Sequence, residues 1–163
     1  MGENMAVNRS KRKDSILFLD IDGVLLSGEW LKKCRNPLCI EPIKVEMLNI
    51  ICKYSECKVV VSSTWRRDEQ CRERLIKAGF KGVFHADWRT TMEDVDPKTG
   101  LFIGLTRGNE IQKWLDNNPW KNYVIVDDDR DMLPSQKNRL VLTDFEQGLT
   151  SQHVGQIVTM FGT

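Results

Sequence analysis

Ile16-Leu17-Phe18-Leu19-Asp20-Ile21-Asp22-Gly23-Val24-Leu25 is the stretch around which the rest of the chain is organised. Four apolar residues run straight into an aspartate, and a second aspartate and a glycine follow. A short apolar run closed by a turn signal reads as a fully buried strand. The carboxyl end of such a strand is where open α/β sheets bind their ligands. Two carboxylates placed there are costly unless something pairs with them. The partner that suits them is a divalent cation with a preference for oxygen, and Mg²⁺ is the expectation. In an extended chain Asp20 and Asp22 share a face, because the side-chain period is two. One group is then placed to attack a substrate while the other handles its protons.

Outward from this stretch, strands and helices alternate. Pro42 suits a first helical position, and Ile43, Met47, Leu48, Ile50 and Ile51 continue a helical spacing over 42–53. A second buried strand is expected over 58–61, ending in Ser62-Ser63-Thr64-Trp65-Arg66-Arg67. A polar helix follows over 68–78, closed by Gly79, and then a short strand over 82–85. Thr106 or Asn109 can cap a helix that runs to 117, where Pro119 stops it. A fourth strand over 123–126 enters Asp127-Asp128-Asp129-Arg130-Asp131, a fifth spans 139–142, and Ser151 can cap a last helix. Residues 26–41 read as a loop or short irregular segment. Leu101-Phe102-Ile103, between Gly100 and Gly104, reads as half of a small flap. The class is α/β, with a mainly parallel five-stranded sheet and helices on both faces.

A chain of 163 residues is expected to build one domain with a real core. Its net charge of +1 excludes a molecule that is polyanionic or polycationic as a whole. The cluster Arg9-Ser10-Lys11-Arg12-Lys13 precedes the first strand, so residues 1–14 are expected to be a flexible basic tail and residues 15–163 the domain. The five cysteines are Cys34, Cys39, Cys52, Cys57 and Cys71. An odd count without a signal peptide or a long apolar run points to ordinary thiols in a reduced, cytoplasmic protein. The shared spacing of Cys34/Cys39 and Cys52/Cys57 is wider than that of most zinc ligand pairs. No stretch has the length of a membrane span.

Asp20-Ile21-Asp22-Gly23-Val24 resembles the first motif of the haloacid dehalogenase (HAD) superfamily, in its phosphatase branch. Three further stretches narrow the resemblance: Ser62-Ser63-Thr64-Trp65-Arg66, Thr106-Arg107-Gly108-Asn109-Glu110-Ile111-Gln112-Lys113-Trp114-Leu115, and Tyr123-Val124-Ile125-Val126-Asp127-Asp128-Asp129. Leu142-Thr143 followed by Gly148-Leu149-Thr150 completes the series. Together they are similar to the HAD branch named after domains in Swiss Army Knife RNA repair proteins, over nearly the whole chain after residue 15.

The resemblance implies a Rossmann-like HAD fold and a Mg²⁺-dependent phosphatase. Asp20 would be the nucleophile that carries an aspartyl-phosphate. Asp22 would protonate the leaving oxygen and then take a proton from water. Ser62 would donate its hydroxyl to a phosphoryl oxygen, with Ser63 and Thr64 as rivals. Arg107 would offset charge in the transition state, with Lys113 as a second candidate. Asp20, the Asp22 main-chain carbonyl and one of Asp127 and Asp128 would hold Mg²⁺, the other acting through water. Asp129 and Asp131 leave a second register of the acidic run open.

Neither the segment between Gly23 and Val59 nor that between Trp65 and Arg107 is long enough for an independent cap domain. An uncapped site suits a bulky phosphate carrier, and the leading expectation is an RNA or DNA end. Ser63, Thr64, Trp65 and Arg66 are expected to line the opening with Arg67, Trp88 and Arg89, where aromatic and basic groups stack bases and hold phosphates. A phosphatase of nucleotides or other small esters is the alternative, if residues 86–106 close the site. A phospho-signalling or binding module is less favoured. Receiver domains keep the acceptor aspartate on the third strand, and here the paired aspartates follow the first. Oligomeric state is left open.

Overall fold

The computed structural model describes residues 13–91 and 93–162. In chain order its elements begin with β1 (Asp14–Leu19), α1 (Gly28–Cys34), α2 (Pro42–Ser55) and β2 (Lys58–Val61). A 3₁₀ turn (Thr64–Arg67) leads to α3 (Cys71–Lys77) and β3 (Val83–Arg89). Next come β4 (Glu93–Val95), β5 (Phe102–Gly104), α4 (Arg107–Asn117) and β6 (Trp120–Asp127). A second 3₁₀ turn (Pro134–Arg139), β7 (Leu140–Leu142) and α5 (Ser151–Gly162) complete the fold.

The main sheet has the order β3-β2-β1-β6-β7, and every pair in it is parallel. β1 is central, which is why its run is apolar on both faces. Leu17 and Leu19 face one layer with Val59, Val61, Val124 and Val126, packed by α2, α3 and Ile157 of α5. Ile16 and Phe18 face the other with Val60, Tyr123 and Ile125, packed by Ile111, Trp114 and Leu115 of α4. The period of two thus divides each strand between two cores. The Phe18 and Trp114 rings meet in a T-shaped arrangement at a centroid distance of 5.3 Å, so α4 is seated on β1 itself.

Register decides what stands at the sheet's carboxyl edge. Leu19 lies opposite Val61 on one side and Val126 on the other. The next residue of each strand is therefore Ser62, Asp20 and Asp127. Ser62 N–H donates to the Leu19 carbonyl at 3.0 Å, and Asp20 N–H to the Val126 carbonyl at 3.1 Å.

Several expectations need correction. Residues 26–41 are not wholly irregular: they contain α1, whose N-terminus is capped by Ser27 Oγ accepting the Trp30 N–H. A seven-residue helix shows too few apolar repeats to reveal itself by period. Cys34 and Cys39 are not ordinary thiols but a disulfide across the loop after α1, while Cys52, Cys57 and Cys71 are free and buried. The polar helix expected over 68–78 is shorter and spans Cys71–Lys77, with a 3₁₀ turn over Thr64–Arg67 before it. The third strand continues to Arg89, and Leu101-Phe102-Ile103 falls in the antiparallel hairpin β4–β5. Thr106 caps α4. Thr150 caps α5, its Oγ1 accepting the His153 N–H, and Ser151 is already helical. Asp14 belongs to β1 and pairs with Lys58 at 2.9 Å; residues 1–12 of the expected tail lie outside the described residues. Among the described residues no helix is long and apolar enough to cross a membrane.

Candidate active site

Five chain segments converge on the carboxyl edge. The loop after β1 is a tight coil in which the N–H groups of Val24, Leu25 and Leu26 all donate to the Ile21 carbonyl. Gly23 sits at φ +78°, a conformation costly for any residue with a β-carbon. A β-carbon there would also overlap the Asp128 carboxylate. Thr143, just past β7, donates its hydroxyl to the Gly23 carbonyl at 2.7 Å and its N–H to the Asp127 carbonyl at 2.9 Å. The loop is thereby tied to the end of β6.

Arg107 arrives from the first turn of α4. Gly108 makes this possible: a β-carbon there would lie 2.6 Å from the Leu133 nitrogen. Gly108 N–H donates to the Asp131 carbonyl at 3.0 Å, and Gln136 donates to the Gly108 carbonyl at 2.9 Å. So held, Arg107 Nη1 lies 2.7 Å from Asp127 Oδ2 and 3.2 Å from Asp20 Oδ1. Lys113 stands six residues further along α4, about 9 Å by helical rise. It borders a separate cleft with Asp87 and Thr90. Arg107 is the cation that meets the two aspartates.

Asp20, Asp127 and Asp128 each present an oxygen, and these atoms lie within 4.8 Å of one another. Burial pushes the Asp20 carboxyl up to about 8; Asp127 adds to this and Arg107 opposes it. Burial raises Asp127 to about 6 against the pull of Arg107. Burial works against the Arg107 charge, but Asp127 and Asp20 outweigh it and its pKa lies above the ordinary value. One arginine therefore does not balance the cluster. Three oxygen donors carrying excess negative charge fit a hard divalent cation, and the cluster can hold a metal ion. Asp129 and Asp131 are exposed; Asp129 N–H donates to Asp127 Oδ1 at 2.9 Å, so its main chain braces the cluster.

Asp22 is half-buried and its Oδ2 accepts the Trp65 indole N–H at 3.2 Å. Burial raises its pKa, and the indole bond opposes this. Ser62 is fully buried, and its Oγ has no hydrogen-bond partner among the described residues. A buried hydroxyl left unpaired is a cost that a bound group can relieve.

The four residues expected to line the opening separate. Ser63 is buried and its Oγ accepts the Trp65 N–H at 3.3 Å, capping the 3₁₀ turn. Thr64 is exposed and borders a polar cavity of about 180 Å³ with Arg67, Thr106, Arg107 and Asp129. Trp65 turns to Asp22. Arg66 turns inward, and all five of its N–H groups are spent on the protein. It donates to the carbonyls of Ser62, Ser63, Thr90 and Thr91 and to the Glu110 carboxylate. Arg66 also borders that polar cavity, with its N–H groups engaged within the protein. Trp88 is buried between Arg72 and Arg89, at 4.7 and 4.9 Å from the ring centre.

Glu110 and Gly108 were not singled out from the sequence. A glycine in the first turn of a helix, where it costs about 1 kcal/mol against alanine, was the available signal of a close approach. Nothing local marks Glu110, because its partner is brought by the fold. Two larger cavities, about 510 and 800 Å³, lie around Lys58 and Asp14 at the opposite end of the strands and take no part in this site.

The family model described as the HAD domain in Swiss Army Knife RNA repair proteins matches residues 16–154. No curated protein and no solved structure matches the chain. The matched span runs from β1 into α5 and so includes every segment of the carboxyl-edge site; the chain belongs to the family of HAD domains in Swiss Army Knife RNA repair proteins.

Proposed function

We propose that the protein is a Mg²⁺-dependent phosphomonoesterase working through an aspartyl-phosphate, with a nucleic-acid end as substrate. The observation that carries this reading is Asp20. It stands between Ser62 and Asp127 at the edge of the sheet, against Arg107, in a carboxylate cluster suited to a cation.

Asp20 attacks phosphorus, and the bond from phosphorus to the ester oxygen breaks. Asp22 gives a proton to that leaving oxygen. A water then attacks the phosphoryl group, Asp22 takes its proton, and the bond to Asp20 breaks, releasing inorganic phosphate. Arg107 and the Ser62 hydroxyl stabilise the phosphoryl oxygens as charge spreads over them. Asp20, Asp127, Asp128 and the Asp22 carbonyl would hold Mg²⁺, which supplies charge neutralisation for a dianionic ester. The order of residues also accounts for the aspartates: a second carboxylate two positions after the nucleophile is what a proton-handling step requires.

Between β2 and α4 the described additions are α3, β3 and the small hairpin β4–β5, and no substantial cap is built. An open site admits a substrate too large to enclose, and membership of a family named for RNA repair proteins supports RNA ends. The test is phosphate release with Mg²⁺ from 3′- and 5′-phosphorylated oligonucleotides, mononucleotides and an aryl phosphate. Release from an oligonucleotide end, lost with EDTA and in Asp20→Asn, is expected. Activity that survives Asp20→Asn overturns the mechanism, and hydrolysis of mononucleotides alone overturns the substrate.

A further inference from the structure

We propose that Trp65 is a positioning residue for proton transfer, holding Asp22 so that one chosen oxygen serves the leaving group. This rests on the reading of Asp22 as the acid and base.

Among the described residues, the indole N–H of Trp65 is the one hydrogen-bond partner of the Asp22 carboxylate, and it occupies Oδ2. An indole N–H donates and never accepts. A proton carried by Asp22 is therefore directed to Oδ1, since a proton on Oδ2 would face another donor. Rotation of the carboxyl group would break the bond. The Asp22 main chain is fixed separately, by the coil of residues 21–26 and the bridge to Leu26.

The indole is itself held. Its ring packs against the apolar core, and Ser63 Oγ binds its main-chain N–H. Arg66, the next residue, clamps the same turn to the Thr90 and Thr91 carbonyls and to Glu110. A side chain whose surroundings over-determine it can aim a neighbour to within a fraction of an ångström, as proton transfer demands. A phenylalanine would fill most of the same space and lack the donor.

The reading separates alignment of the acid from general support of the fold. An alkyl phosphate such as glycerol 2-phosphate has a poor leaving group and needs the proton. 4-Nitrophenyl phosphate has a good one and needs it little. Single-turnover release of alcohol and of nitrophenol would be compared for wild type and Trp65→Phe. General acid catalysis is worth about 10²–10⁴-fold, so the alkyl-to-aryl rate ratio is expected to fall by about tenfold or more. An unchanged ratio, whether both rates fall or neither does, overturns the proposal while leaving the phosphatase reading intact. Loss of neither rate in Asp20→Asn overturns that reading and the proposal with it. A second measurement is independent of turnover: the Trp65 indole N–H resonance, identified by its absence in Trp65→Phe. It is expected to move and to exchange faster with solvent in Asp22→Ala, and a resonance indifferent to that substitution overturns the proposal.

Discussion

Arg66 and Glu110 form a buried ion pair of 3.0 Å, with side chains 3% and 9% exposed, and it joins the turn after β2 to the first turns of α4. The turn carries Ser62 and Trp65, and the helix carries Arg107. Burial opposes the charge of both partners, lowering the Arg66 pKa and raising that of Glu110. Arg66→Ala would deprive Glu110 of its ion-pair partner and the Ser62, Thr90 and Thr91 carbonyls of the guanidinium donor, while the Ser63 carbonyl keeps the main-chain N–H of residue 66. A cost of about 3–5 kcal/mol is expected, read from urea unfolding. Arg66→Lys keeps the charge but not the five-donor fork, and should also destabilise. A loss under about 1 kcal/mol for Arg66→Ala would mean that the pair is not buried as described.

Asp20→Asn separates stability from chemistry. The substitution removes one of three clustered carboxylates and the repulsion that raises its pKa. In EDTA the variant should melt above wild type, and its gain in melting temperature on adding Mg²⁺ should be smaller. Phosphate release should fall to background. A variant that binds Mg²⁺ as wild type does would remove Asp20 from the cation site.

The same cluster sets a pH dependence for the metal-free protein. Asp20 at about 8 and Asp127 at about 6 both lie above the value of 3.8 for a free carboxyl. The folded chain therefore binds more protons than the unfolded one between these values. Their stabilising contribution is complete below about 3.8 and is lost as pH rises through 6 and then 8. Melting temperature in EDTA should fall from pH 5 to pH 8.5, and millimolar Mg²⁺ should flatten the slope. The double variant Asp20→Asn/Asp127→Asn tests the attribution: a slope that persists in it belongs to other groups.

Gly108→Ala sets helix propensity against packing. Alanine favours a helix by about 1 kcal/mol over glycine. Here its β-carbon meets main-chain atoms of Leu133 and Met132, which cannot swing aside as a side chain end would. Overpacking of this kind costs about 1–3 kcal/mol, so a net loss of stability is expected. Because Arg107 precedes Gly108, kcat should fall further than the loss of fold explains. A more stable Gly108→Ala variant would show that α4 is not pressed against residues 132–133.

Local pattern carried much of the architecture. The apolar run before Asp20, the Val59-Val60-Val61 strand and the spacing of Ile111, Trp114 and Leu115 each follow from one element being buried on a known period. The end of the first strand could be read as a site because a fully apolar run meeting two carboxylates is a local contradiction that only a ligand edge resolves. Helix α1 was hidden by its brevity, and the choice of Thr106 over Asn109 turned on which residue the helix start actually met.

The class of fold, its central strand and the carboxylates at that strand's end are written in local pattern, since they depend on neighbours in the chain. Which groups meet across that strand depends instead on how distant segments pack. Register placed Ser62 and Asp127 on either side of Asp20, and a glycine-sized gap let Arg107 in while Lys113 stayed away. Packing turned Arg66 inward to Glu110 and Trp65 toward Asp22, and it joined Cys34 to Cys39. The reason is physical: a charged or polar side chain is buried only where distant segments supply its partners, and no local period records which segments those are.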